Sequence, residues 1–529
     1  MAGLRITHAR SRQEAQPALV AISGEIRVEQ TIWWFLGLLG ILFLVVAAVA
    51  IYDLFQRKHA ILRNFPVVGH LRFALESVGP ELRQYIVTDN DSERPFSRDD
   101  RRWVYEAANA QEGIFGFGTD NDLESTPNYI FIKQSTFPVN ADPVVDTDKW
   151  LAPMGKTIGA ARNRRLAFRP ESIVNISSMS FGSLGGRAVE SLNLGASIAG
   201  CLQGTGEGGI SESHRSGGDL ILQIGTGYFG ARDEHGKFNL DRLIETIASA
   251  PIRGIEIKLS QGAKPGLGGV LPAAKVTQEI AQLRGIPVGE TCHSPARHSA
   301  FSDVDSMLDF IEMIAEETGL PVGIKSAVGE ASFWNELAQI MSRKLRGVDW
   351  ITIDGGEGGT GAAPLPFADN VALPFFDAFP RVYRSFAEQG LADDVVFLGA
   401  GRLGLPTRAL AGFSLGLDGV NVGREAMLSI GCIQAQRCHT GQCPTGVATS
   451  SAWLQRGLDP TLKSVRCANY IIGLRRELMR LSRACGVNHP SLVSPNMVEF
   501  RRGDGGLMTL AEIHNYEDGW GVRRESLPN

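Results

Sequence analysis

Between residues 173 and 422 the chain alternates short apolar runs with longer amphipathic ones. The short runs fall at 173–179, 198–202, 220–224, 254–259, 321–325, 350–353, 395–398 and 419–422, and most end in glycine-rich or polar turns. Runs of this length bounded by turn residues read as buried strands. Stretches of helical period separate most of them, at 187–196, 240–248, 273–283, 304–318, 333–343, 376–389 and 407–415. Strands alternating with helices predict a parallel sheet, and eight such units predict an α/β fold closed into a (β/α)8 TIM barrel. The step from the first strand to the second, over 179–204, fits the count least well. An open, doubly wound sheet is the alternative.

Upstream the pattern changes. Residues 1–30 are polar without a clear period and read as a mobile tail. Residues 31–52, TIWWFLGLLGILFLVVAAVAIY, carry no charge. At about 1.5 Å per residue they can cross roughly 30 Å of hydrocarbon. Trp33 and Trp34 stand at one end and Tyr52 at the other, as an aromatic belt requires. A signal peptide has a shorter apolar region and a small-residue cleavage site, so a transmembrane helix is the expectation, with a buried core helix as the other alternative. Arg57, Lys58, Arg63 and Arg72 follow the span, whereas Arg27 and Arg12 are the nearest basic residues before it. That excess places the body on the cytoplasmic side of a single-pass membrane protein. Residues 53–150 read as a mixed N-terminal segment packing on the barrel. Its Leu71, Leu75, Val78 and Leu82 form a helical stripe, with an interfacial helix as the second reading. The charge-dense 89–102 reads as a solvated linker or helix start, and 129–137 as a strand. The barrel domain is expected over 151–490 and a C-terminal extension over 491–529.

Composition narrows the class. The net charge of −5 supplies no basic field for nucleic acid, and 43% hydrophobic with 21% charged residues is ordinary for a globular chain. Seven cysteines in 529 residues suit a reducing compartment.

The chemistry should lie at the C-terminal ends of the strands. The last two apolar runs end in glycine, at Gly399 and Gly401 and then at Gly423, and each opens directly into a helical stretch. Such ends let backbone N–H groups close on an anion. Arg402 and Arg424 follow these glycines. Cys432, Cys438 and Cys443 come next, spaced C-x5-C-x4-C. This is not the C-x2-C spacing of a zinc ribbon, and three thiolates on one loop suit an iron–sulfur cluster. Unligated thiols are the alternative. After the first run, Ser178, Met179 and Ser180 can pack on a planar ring and bond its polar edge. Glu207 sits among glycines in TGEGG, and Gln223 opens QIGTGYFG. In IEIKLS, alternation puts Glu256, Lys258 and Ser260 on one face. Lys264 follows in a Gly/Pro loop, and two lysines at one mouth would hold a dianionic substrate and polarise its carbonyl. Lys325 ends the fifth run, where it can stabilise a reduced ring or pair with a neighbouring strand. Asp354, Gly355 and Gly356 open DGGEGGTGAAP, whose glycines permit close backbone approach. Cys292 and His293 are sequence neighbours with no third group, and read as loop residues without chemistry.

GCIQAQRCHTGQCPTGVAT resembles the three-iron cluster loop of the synthase domain of the glutamate synthase family. GRLGLPTRAL and VNVGREAM resemble its FMN-phosphate loops, and SMSFGS its flavin-facing stretch. GEGG is similar to the stretch over its substrate, EIKLSQGAKPGLGG to its 2-oxoglutarate-binding stretch, and DGGEGGTGAAP to its DGGTGASP. The resemblance covers residues 152–490. It implies FMN and a 3Fe-4S cluster as cofactors, the latter on Cys432, Cys438 and Cys443. It implies Glu207, Lys258, Lys264 and Arg284 as catalytic residues. The FMN-binding set is Ser178, Met179, Ser180, Gln223, Lys325, Asp354, Gly355, Gly356, Gly399, Gly401, Arg402, Gly423 and Arg424. The implied reaction is reductive amination of a 2-keto acid with ammonia or an amine. The chain shows neither a glutaminase nucleophile nor a dinucleotide fingerprint. A separate redox partner (a ferredoxin or an NAD(P)H-dependent subunit) is therefore expected, together with free ammonia or a separate glutaminase subunit. One departure matters: the family text is close to KPGEGGQLPG, whereas this chain reads KPGLGGVLPA. Leu267 thus stands where the family has Glu, and Val270 where it has a Gln that contacts the keto acid. The expectation is a preference shifted toward a less polar distal group. The competing readings are a membrane-anchored electron-transfer subunit and an N-alkyl amino acid synthase.

Overall fold

The structure is a computed structural model that describes residues 15–114, 116–140 and 149–523, with side chains described from residue 31 onward. It divides into two compact units, one ending at Asp89 and the other beginning at Asn90.

In the first unit a helix runs Ala15–Phe55. It starts inside the stretch expected to be a polar tail; residues 1–14 lie outside the described residues. Within it, Thr31–Phe55 contains an 18-residue window with a mean hydropathy of 2.8 and no buried residue, long and apolar enough to cross a membrane. At its last turn the buried Asp53 carboxylate accepts from the Val67 N–H at 2.9 Å and meets His70 Nε2 at 2.9 Å. Helices follow at Ala60–Asn64 and Gly69–Leu82, the latter continued by a π-helical turn, Arg83–Val87.

The second unit holds the barrel. Its strands are β1 (Val174–Ile176), β2 (Gln203–Gly204), β3 (Leu220–Ile224), β4 (Ile252–Lys258), β5 (Val322–Ser326), β6 (Trp350–Asp354), β7 (Val396–Ala400) and β8 (Gly419–Val422). All pair in parallel, and β8 returns to β1 through Val420 opposite Val174. That pairing closes the sheet and excludes the open doubly wound arrangement. The second strand lies at Gln203–Gly204 and not at the expected 198–202. Ile198 and Ala199 belong instead to the helix Gly186–Ala199, which Gly200 ends in a left-handed C-cap at φ 67°. Helices Leu240–Ala248 and Val304–Thr318 lie as the periodicity predicts. The stretch 273–283 instead breaks into a 3-10 turn, Ala273–Lys275, and a helix, Gln278–Arg284. Its cap is Thr277, whose hydroxyl accepts from the Ile280 N–H.

After β8 comes the short helix Arg424–Ser429, then the cysteine loop, then a 25-residue helix, Pro460–Ala484, absent from the sequence reading. This helix lies against Gly186–Ala199 at a contact that only glycine allows. A Cβ on Gly195 would sit 2.7 Å from that of Cys467. The segment expected as a solvated linker is partly interior: Phe96 is 2% exposed, and Ser97 and Asp100 form a capping box that starts the helix Arg98–Ala108. The strand expected at 129–137 is Ile130–Ile132, in a three-stranded antiparallel sheet with Val498–Arg501 and Leu507–Thr509. Residues 152–168 underlie the N-terminal ends of the strands. There Lys156 Nζ meets Asp418 at 3.0 Å, and Arg164 bridges Asp349 and Glu312.

Candidate functional site

Parallel strands bring their C-terminal ends to one mouth, so residues distant in sequence meet there. All eight strands contribute to a cavity of about 200 Å³, through Ser177 and Ser178, Glu207, Gln223, Lys258, Lys325, Asp354, Gly401 and Gly423 in turn. Met179, Ser180, Lys264, Arg284, Arg402 and Arg424 complete the predicted residues on its wall. Three expected cofactor glycines are not part of it. Gly355 and Gly356 spend their N–H groups on Ala400 O and Leu373 O, at 2.9 and 2.8 Å. Gly399 is packed so that a Cβ would lie 2.7 Å from the side chains of Leu403 and Leu417. Gly358, Gly359 and Gly361 of the same glycine-rich loop line the cavity instead.

The anionic end of the mouth is one carboxylate held by cations. Lys258 Nζ donates to Glu207 Oε1 and to Gln261 Oε1, both at 2.8 Å. Room for Glu207 depends on two glycines: a Cβ on Gly225 or Gly269 would fall 2.2 or 2.7 Å from its carboxylate. Burial pushes Glu207 up, but Lys258, Lys264 and Arg284 outweigh it and hold the carboxyl below the usual range. Lys264 is 5% exposed, and among the described residues its Nζ has no hydrogen-bond or ion-pair partner. Its loop is fixed by the Gly262 N–H donating to Asp354 Oδ2 at 3.1 Å. Burial, then the neighbouring Lys258 charge, depress the Lys264 ammonium. A carboxylate bound here should therefore weaken as pH rises, starting below the pH near 10.4 at which a solvated lysine titrates. Calorimetric titration with a dicarboxylate across alkaline pH checks this.

Arg284 is buried. Its Nη2 donates to Phe181 O at 3.0 Å, its guanidinium lies over the Phe229 ring, and its Nε has no partner among the described residues. Lys325 meets Asp354 at 3.4 Å, so the ion pair to a neighbouring strand is formed. Burial pushes Lys325 down, yet Asp354 and Glu256 carry it above its ordinary value. Glu256, inside the barrel, accepts from Gln223 Nε2 and Thr352 Oγ1, both at 2.7 Å. That fixes Gln223 at the cavity floor.

At the opposite end Arg402, Arg408 and Arg424 cluster. Arg402 bonds Asp100 at 3.1 Å, Arg408 bonds Glu357 at 3.3 Å, and Arg424 donates to Glu357 O. Phe96 lies under the guanidinium groups of both Arg402 and Arg424. Burial, with Arg402 also opposing, lowers Arg408; burial comes first for Arg424 as well. Arg402 Nε is buried without a partner among the described residues. Crowded guanidinium groups with an unspent donor suit a phosphate oxygen, whose charge would relieve their mutual repulsion.

A second cavity, of about 670 Å³, adjoins the first. Cys432, Cys438 and Cys443 all line it, with Val270, Ala263, Pro272 and Met427, and Cys438 lines both cavities. Among the described residues no three His, Cys, Asp or Glu side chains converge closely enough to hold one metal ion. The three thiols therefore do not form a single-ion site as they stand. They do face one space, which a cluster with one thiolate per iron requires. Burial pushes Cys432 up to about 12. Cys443 is also buried, yet the Thr445 hydroxyl and the N–H groups of Ala448, Thr445 and Val447 bring it below the ordinary thiol value.

Several contributors were not found in the sequence. Lys275 is 1% exposed and donates to Ser183 O at 2.7 Å and Cys438 O at 3.3 Å, tying the loop after β1 to the cysteine loop. Burial lowers its ammonium to about 8. Gln261, Arg408 and Phe96 carried no strand-end signal. Cys292 and His293 lie on a two-residue strand paired with Val270–Leu271, which buries the thiol and exposes the imidazole. They share no face on which to act together.

Residues 153–488 match a conserved region in glutamate synthase. The glutamate synthase large subunit-like protein YerD of Bacillus subtilis (strain 168) is 36% identical over 514 residues, 91% of this chain and 97% of that protein. An archaeal-type glutamate synthase (NADPH) of Thermotoga sp. (strain RQ2) is 33% identical over 348 residues, 65% of this chain and 64% of the relative. The archaeal glutamate synthase (NADPH) of Methanocaldococcus jannaschii is 34% identical over 318 residues, 60% of this chain and 59% of that protein.

Proposed function

The chain belongs to the glutamate synthase family, and from that membership we propose that it is an oxidoreductase that aminates a 2-keto acid reductively at the barrel mouth, with FMN and a three-iron cluster as its cofactors. The observation that carries the reading is Cys438, which lines both the cavity at the strand ends and the cavity of the three thiols. Electrons entering at the cysteine loop have one wall to cross.

Arg402, Arg408 and Arg424 would hold the FMN phosphate, Arg402 Nε supplying the unspent donor. Ser178, Met179, Gln223 and Lys325 would border the ring. Cys432, Cys438 and Cys443 would ligate the cluster. When bound, the flavin supplies hydride to a carbon–nitrogen double bond, and the cluster supplies the electrons one at a time. The chain's own residues prepare the substrate. The free Lys264 ammonium, with Arg284 beyond it, binds the keto acid's carboxylate. Lys258, held between Glu207 and Gln261, presents positive charge to the carbonyl oxygen as ammonia adds and as that oxygen then leaves as water to give the carbon–nitrogen double bond. Glu207 stays ionised because three cations surround it, so it can take a proton from the adding nitrogen. A redox partner, a ferredoxin or an NAD(P)H-dependent subunit, provides reducing equivalents. A separate glutaminase subunit is one source of the ammonia. Thr31–Phe55 spans the membrane and leaves this body in the cytoplasm.

Visible spectra of anaerobically purified protein test the reading. The reduced chromophore should reoxidise on addition of keto acid plus ammonium, and on neither alone. Reoxidation by an artificial acceptor only would replace amination with simple electron transfer. Single Cys→Ala changes at positions 432, 438 and 443 should each lose most of the iron, whereas Cys485→Ala keeps it. Full iron content in the Cys438→Ala protein would remove the cluster assignment.

A further inference from the structure

The helix Gly69–Leu82 carries an apolar face that no function so far absorbs. Leu71, Leu75, Val78 and Leu82 repeat at helical spacing and are 63, 56, 47 and 43% exposed. Flanking it are Arg72 and Glu76, paired at 2.9 Å, and Ser77. A helix whose apolar stripe is flanked by charged and polar residues suits the boundary between headgroups and acyl chains.

Two further observations say what covers the stripe. First, the turn that precedes the helix is pinned to the end of the apolar helix Thr31–Phe55. Asp53, fully buried, accepts from the Val67 N–H and meets His70 Nε2. Gln56 closes the turn that leaves the apolar helix, donating to Asp53 O at 3.2 Å and His59 O at 2.8 Å while accepting from the His59 N–H at 2.8 Å. The amphipathic helix thus begins level with the last turn of the candidate span, where the hydrocarbon ends. Second, residues 56–88 contain five basic side chains, Arg57, Lys58, Arg63, Arg72 and Arg83, against two acidic ones, Glu76 and Glu81. Basic residues at that depth are drawn to an anionic leaflet.

We propose that Gly69–Leu82 lies flat on an anionic lipid surface, its leucine and valine stripe in the acyl boundary, and that the Asp53 clasp sets the bend between the spanning helix and the surface helix. This rests on reading Thr31–Phe55 as a span, and the test separates the two. The full-length holoprotein is reconstituted in vesicles of phosphatidylcholine with phosphatidylglycerol that contain a carbene-generating lipid probe, and adducts are mapped by mass spectrometry. Adducts should appear along Thr31–Phe55 and on Leu71, Leu75, Val78 and Leu82, roughly tenfold above those on Ser77 and Glu76. Labelling of the stripe, and not of the span, should fall several-fold in pure phosphatidylcholine. A labelled span with a stripe no richer than Ser77 overturns the inference and leaves the span standing; a stripe covered by protein would give this result. Equal stripe labelling in both lipids overturns the anionic preference. An unlabelled span overturns both.

Discussion

Replacing Arg164 by alanine should cost about 3–5 kcal/mol of stability, the largest single loss expected in the barrel. Arg164 Nε donates to both Asp349 oxygens at 3.2 and 3.0 Å, while its Nη atoms donate to Glu312 at 2.5 and 2.9 Å. Asp349 is buried at the base of β6 and also accepts from the Val322 N–H at 2.8 Å, so it fixes the register at the foot of β5. Removing the guanidinium strands two carboxylates with Arg162 as the nearest remaining cation. Arg164→Lys should recover only part of the loss, since an ammonium cannot reproduce a fork that bonds two acids at once. Burial already holds Asp349 above the ordinary carboxylate value even with Arg164 opposing. A carboxyl raised in the folded state binds its proton more tightly there than in the unfolded chain. Its contribution to stability is therefore present below the unfolded value, near 3.9, and lost as pH rises through the folded one. The variant should deepen that loss. Urea unfolding of both proteins at acid and neutral pH measures it, and equal midpoints would show that Arg164 is not the keystone of the base. Because the change lies at the strand N-termini, cofactor content per folded molecule should not change.

The barrel was legible because its strands are short apolar runs between helices with clear periods. The clearest, Leu220–Ile224, Trp350–Asp354 and Gly419–Val422, lie within a residue of where the pattern puts them. The second strand was not, for a local reason. The helix Gly186–Ala199 is apolar through its last turn, so its end merges with Cys201 and Leu202 into one run, while the strand itself is only Gln203–Gly204. In the site, Lys258 and Lys325 could be found because charged residues at strand ends face the mouth by construction, Lys264 from the Gly/Pro loop just beyond, and Glu207 through the family resemblance alone. Glycines are ambiguous in the same place. Gly358 serves the cavity wall, whereas Gly399 makes room for Leu403 and Leu417, and a sequence cannot say which neighbour needs the space. Lys275 and Phe96 reach the site only through tertiary contact, one from a 3-10 turn and the other from a charge-dense segment that hides a single aromatic. No periodicity marks either.

Lys264→Met should raise the KM for the keto acid about ten- to a hundredfold, because a charge-assisted bond to a carboxylate contributes roughly 1.5–3 kcal/mol. The argument needs the ammonium to be unspent, and it is: Lys258 is committed to Glu207 and Gln261, whereas Lys264 has no partner among the described residues. Activity with an artificial electron acceptor, which needs no carboxylate, should not change. The distal end of the substrate meets different chemistry. Val270 lines both cavities, and Ala263, Pro272 and Met427 extend the apolar wall behind it. Valine forgoes one neutral hydrogen bond to a distal polar group, on the order of 1 kcal/mol, and offers apolar contact in its place. The lysine outweighs the valine, so a keto-acid site should persist while its preference should move toward pyruvate or branched 2-keto acids and away from 2-oxoglutarate. Val270→Gln should move it back by about fivefold. Reoxidation rates of the reduced enzyme with each keto acid, using ammonium and then methylamine, decide the matter. A preference for 2-oxoglutarate plus ammonium by more than roughly a hundredfold in the unaltered protein, beyond what one hydrogen bond can reverse, would leave Val270 without influence and ordinary glutamate synthesis as the reaction.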